Sequence, residues 1–123
     1  MTPFVLEMLA LAKAVPEARR ALREHLGGPC PEVQLCLSEL LANVIAHVGE
    51  GTPVSVRVTS AQSGRTRVEV SDPEPHAWLV LRHPAADDEA GRGLLLLDAL
   101  ALRWGVEQRA DGKTVWCELP EYG

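Results

Sequence analysis

A chain of 123 residues, 46% hydrophobic and 24% charged, suits one compact domain around one core and leaves no length for a second. Its net charge of −5, with Lys and Arg scattered and Arg19-Arg20 the only basic doublet, argues against an electrostatic nucleic-acid footprint. Cys30, Cys36 and Cys117 are odd in number and lack metal-ligand spacing, and neither a secretory leader nor an uncharged apolar run of about 18 residues occurs, so a disulfide framework, a zinc site, secretion and membrane spanning are disfavoured and a reducing cytoplasm fits.

In chain order, Phe4 to Leu11 is apolar and fits either a first strand or a leading helical turn. A helix follows, because Pro16 and Glu17 suit a first turn, Val15, Ala18, Leu22 and Leu26 recur at helical spacing, and Gly27-Gly28 stops the run. Pro31-Glu32 opens a second helix with an apolar stripe of Val33, Leu37, Leu40, Leu41, Val44 and Val48, broken at Gly49-Glu50-Gly51. Two strands come next: Val54, Val56 and Val58 alternate with Ser55, Arg57 and Thr59, and Val68 and Val70 alternate with Arg67 and Glu69, with Ser63-Gly64 as the turn. From Asp72 to Ala90 the chain holds Pro73, Pro75, Pro84 and the acidic Asp87-Asp88-Glu89, which reads as a long irregular loop of the kind that serves function. Gly91-Arg92-Gly93 then opens an apolar run from Leu94 to Leu102, read as a buried helix. A hairpin closes the domain, Trp104 to Arg109, the Asp111-Gly112 turn, and Lys113 to Leu119, where Thr114, Trp116 and Glu118 alternate with Val115, Cys117 and Leu119. This order predicts an α+β fold, a two-layer sandwich of a mainly antiparallel mixed sheet with helices on one face. Arg57, Arg67 and Glu69 agree with the other face being wet.

The second helix carries the strongest chemical signal. Glu39, Asn43 and His47 follow one another at four-residue steps, so they share one face of an otherwise oily helix. Burying a carboxylate, a carboxamide and an imidazole there is costly unless something polar lies opposite. On the expected plan Asn43 lines one wall of a pocket and the backbone amides of Gly91 to Leu94 line the other. Amides at a glycine-opened helix start favour phosphate oxygens, and a carboxamide oxygen is a suitable hard ligand for the magnesium that accompanies a triphosphate.

Glu39-x-x-x-Asn43-x-Ile45-x-His47, Asp72 at a strand end, Gly91-x-Gly93-Leu94 and a late Gly112-x-Thr114 stand in that order. The set resembles the ATP-binding domain shared by gyrase, sensor histidine kinases and bacterial anti-sigma serine kinases, the Bergerat fold, and is most similar to the last branch. The resemblance runs from about Val15 to Leu119 and implies one histidine kinase-like ATP-binding domain over residues 1–123 with ATP and Mg2+ as ligands. It implies that Asn43 binds the magnesium, that Glu39 is the general base, and that Asp72 accepts from the adenine amino group. It further implies that Gly91, Arg92, Gly93 and Leu94 lie against the phosphates under a lid formed by Pro73 to Ala90, that Thr114 closes the adenine side, and that His47 belongs to the nucleotide site. The function implied is phosphorylation of an anti-sigma factor antagonist, sequestration of a sigma factor, or both, with a homodimer compatible by resemblance.

The chain departs from that pattern where glycines usually follow the adenine aspartate. Here Asp72-Pro73-Glu74-Pro75 fixes the backbone and adds a negative side chain, and Arg82 and Arg92 are the only nearby cations. The alternative function is therefore a catalytically silent adaptor that keeps the fold for protein binding. Plain readings also exist for single residues: His47 as a helix-end cap, Asp72 as a turn residue, and Trp78, Trp104 and Trp116 as packing residues. Gly112-Lys113-Thr114 imitates the end of a P-loop but lies between strands, so that reading is rejected.

Overall fold

The computed structural model describes residues 3–60, 64–75 and 101–120. The elements are β1 (Phe4–Leu9), a 3-10 turn (Ala12–Ala14), α1 (Val15–Leu26), α2 (Pro31–His47), β2 (Pro53–Ser60), β3 (Thr66–Asp72), β4 (Arg103–Arg109) and β5 (Gly112–Leu119). The helix expected from Gly91, most of the loop before it, Trp78 and Ser63 lie outside the described residues.

The opening segment is a strand. β1 lies at the sheet edge with Val5 and Leu9 exposed, so apolar side chains occupy both of its faces and the period-two signal is blurred in the sequence. α1 ends where anticipated: Gly27 takes a left-handed φ of 79° and its N–H donates to Arg23 O at 3.0 Å. The five strands are ordered β1-β2-β3-β5-β4, and each of the four pairings is antiparallel. Register aligns Val56, Val70 and Val115 in one row and Val58, Val68 and Cys117 in the next. These rows are buried together with Leu37, Leu40, Leu41 and Val44 of α2, which forms the core between the two layers.

The opposite face is wet and charge-linked. Arg67 reaches Glu69 at 2.9 Å, Glu107 at 3.2 Å and Glu118 at 3.3 Å, and its guanidinium lies 4.2 Å from the Trp116 ring. Hydrogen bonds from Arg103 and Arg67 hold the Glu118 carboxyl below the usual carboxylate range. Gly105 is required beneath the indole, since a Cβ there would come within 3.0 Å of Trp116. At the hairpin turn a Cβ on Gly112 would sit 2.3 Å from the Asp72 carbonyl oxygen. That close backbone approach sets Lys113 directly opposite Asp72 in the β3–β5 register.

Candidate functional site

The path of α2 decides which side chains meet at the sheet end. The buried Cys36 and Cys117 thiols neighbour each other, setting the first half of α2 over the far half of β5, and this neighbour together with burial pushes the Cys117 thiol up. α2 ends at His47 and the chain enters β2 at Pro53, close to the pairing of Ser55 with Ser71. That end of the sheet also holds Asp72 and Lys113. From Cys36 to Asn43 the helix advances about 10 Å, and from Cys117 back to Lys113 the strand covers about 13 Å. α2 thus runs antiparallel to β5 and delivers Asn43 toward the Asp72–Lys113 end.

Asn43 is 1% exposed, and among the described residues neither its Oδ1 nor its Nδ2 has a hydrogen-bond partner. His47, one turn on, has its Nε2 buried and equally unanswered. Glu39, one turn before, is half-buried, and burial raises its carboxyl above the ordinary range. Orphaned buried polar atoms are rare in folded proteins and call for a ligand, ion or water. A carboxamide oxygen fits a hard cation. Magnesium commonly keeps several waters and takes few protein ligands, so one carboxamide beside phosphates suits it.

Asp72 is closed off, its side chain 0% exposed. Its Oδ1 accepts from Lys113 Nζ at 3.0 Å and from the Glu74 N–H at 2.9 Å, while Lys113 Nζ also donates to the Glu74 carbonyl at 2.8 Å. Asp72 Oδ2 is buried with no partner among the described residues. The Pro73-Glu74 turn therefore contributes through its backbone: Pro73 presets the turn and Glu74 wraps the carboxylate with an N–H and a carbonyl. Sequence reasoning missed Lys113. The signal was present, since Lys113 shares the parity of Val115, Cys117 and Leu119 on β5, so it had to face inward with the apolar side chains.

Thr114 has the other parity. Its hydroxyl pairs with Ser71 Oγ at 2.7 Å and accepts from Arg109, on the face of β5 opposite the Asp72 carboxylate. The structure thus brings Asn43, Asp72 and Lys113 to one end of the sheet with Glu39 and His47 on the same helix face as Asn43, and does not bring the Thr114 hydroxyl to Asp72. Gly91, Arg92, Gly93 and Leu94 lie outside the described residues. An open cleft of about 150 Å³ borders the hairpin turn, lined by Ser71, Asp72, Arg109, Asp111, Gly112, Lys113 and Thr114. It is small beside the roughly 300–1,000 Å³ typical of small-molecule sites.

The histidine kinase-like ATPase domain matches residues 5–119, and the chain belongs to that family. The chain is 55% identical over 83 residues to the uncharacterized protein SCO4941 of Streptomyces coelicolor, covering 67% of this chain and 79% of that one. Its fold is similar to the crystal structure of the RsbU and RsbW domains of Rv1364c from Mycobacterium tuberculosis, with a TM-score of 0.71 and 21% identity over 98% of this chain and 32% of that chain. It is also similar to the histidine kinase domain of the blue-light activated histidine kinase from Erythrobacter litoralis EL346, with a TM-score of 0.57 and 17% identity over 92% of this chain and 61% of that chain. The chain thus spans about a third of the first solved structure and three fifths of the second. These likenesses show the Bergerat-type α+β fold that the motif order implied.

Proposed function

We propose that this domain binds ATP with magnesium and acts as a regulatory unit of the anti-sigma serine/threonine kinase type, in a cytoplasmic setting. The observation that carries the reading is the orphaned carboxamide of Asn43, buried on α2 in a chain of the histidine kinase-like ATPase family. The fold likeness to a structure containing an RsbW domain supports the choice of branch. Bound magnesium would supply charge neutralisation at the phosphates. Asn43 would hold it, and the amides at Gly91 to Leu94, with Arg92, would face the phosphate oxygens. Glu39 stands one turn before Asn43, and its raised pKa suits a group that takes the proton of an attacking hydroxyl. The acceptor would be a serine or threonine of an anti-sigma factor antagonist, and a sigma factor would be the alternative bound partner.

Titration calorimetry with Mg-ATP tests the binding step. Saturable heat that disappears in Asn43→Ala is expected, and no heat at millimolar nucleotide for the wild type would count against the reading.

The adaptor reading is favoured by one specific observation, the Lys113 ammonium on the carboxylate assigned to adenine. Transfer of radiolabelled phosphate to a partner separates the two readings: Glu39→Ala abolishes it in the kinase, whereas the wild-type adaptor transfers none.

A further inference from the structure

The nucleotide reading gives Asp72 to the base, yet the structure shows its carboxylate already in use. Lys113 and Asp72 form an ion pair with side chains 1% and 0% exposed, and Oδ1 has two donors, Lys113 Nζ and the Glu74 N–H. We propose that Lys113 is a resident competitor at the base-recognising end of the site, so that the domain selects nucleotides by their polyphosphate and distinguishes poorly between bases with and without an exocyclic amine.

The chemistry is one of matched donors. An exocyclic amine and an ammonium both offer N–H groups to a carboxylate, and the ammonium brings a full charge. With the ammonium 3.0 Å away, the negative field that makes an amine–carboxylate hydrogen bond strong is largely cancelled. What an incoming base finds is Oδ2 alone, on a neutralised group. That oxygen is also the sign that the pair is more than a structural staple. One carboxylate oxygen is doubly engaged and the other is buried without a partner among the described residues. Removing the ammonium would leave a buried carboxylate held only by the Glu74 N–H, with charge that a base amine could then answer.

This inference rests on the nucleotide reading, and the test separates the two. The full chain and Lys113→Met are titrated with Mg-ATP and with Mg-inosine triphosphate, whose base carries a carbonyl where adenine has its amine. The wild type should favour ATP by less than about fivefold, and Lys113→Met should bind ATP on the order of tenfold tighter than the wild type with inosine triphosphate unchanged. ATP binding that appears only in Lys113→Met supports Lys113 as the competitor and counts against nucleotide binding by the wild type. A wild-type preference for ATP beyond about fivefold, or a folded Lys113→Met with equal or weaker ATP affinity, overturns the inference and leaves the nucleotide reading standing. No binding of either nucleotide by either protein overturns both. Should Lys113→Met not fold, the wild-type comparison decides alone, and absence of binding there counts against both.

Discussion

Asn43 is a group the fold would be more stable without. A buried carboxamide with neither atom answered among the described residues imposes a desolvation penalty, so Asn43→Leu should stabilise the unliganded domain by about 1–3 kcal/mol while removing Mg-ATP binding. Urea unfolding and calorimetry on the same samples read the two effects, and a destabilised variant would show that the amide is structurally satisfied. Glu39 is a milder case. Its pKa is raised by burial, so the folded state binds its proton more tightly than the unfolded chain does, and stability is lost as pH rises from the ordinary carboxylate range through the raised value. Glu39→Gln should therefore gain stability at neutral pH, by less than about 1 kcal/mol because the group is partly solvated, and the gain should vanish as pH falls below the ordinary carboxylate range. Denaturant midpoints at acid and neutral pH give the comparison. The four-residue spacing of Glu39, Asn43 and His47 was legible because helix geometry alone aligns them. The Lys113–Asp72 pair was not read, because it depends on which strand lies beside β3, and β5 is inserted between β3 and β4 in a way that local patterns do not encode.

At the scale of elements, two glycines hold the hairpin where the site needs it. Gly112→Ala places a methyl against the Asp72 carbonyl and must push β5 away from the end of β3, so a loss above about 2 kcal/mol is expected, with the Lys113–Asp72 contact disturbed. Gly105→Val meets the Trp116 indole and should be destabilising without affecting ligand binding, since it lies on the wet face. Thermal unfolding paired with nucleotide titration distinguishes the two variants, and equal effects on binding would contradict the separation of faces. Both long helices and the four inner-sheet and hairpin strands were readable from periodicity, caps and turns, because each has one apolar face and a clear stop. β1 was undecidable because it is an edge strand with Val5 and Leu9 on its open face. The P-loop-like Gly112-Lys113-Thr114 drew attention to residue type when the parity of β5 was the informative property.

Over the whole molecule, a buried ion pair links the neighbouring strands β3 and β5 at the end where α2 arrives. Breaking it from either side leaves a lone buried charge, so Asp72→Asn and Lys113→Met should each cost about 3–5 kcal/mol, while the double variant should recover most of that loss. Additive losses in that cycle would mean that the partners do not depend on each other. Among the described residues no helix is long and apolar enough to cross a membrane. The most direct test of the central claim is paramagnetic: Mn2+ in place of Mg2+, added with ATP, should selectively broaden the Asn43 side-chain amide signals in a heteronuclear NMR spectrum, and should do so far less without nucleotide. Asn43 signals that stay sharp while Mn-ATP is bound elsewhere, or is not bound at all, would contradict the account.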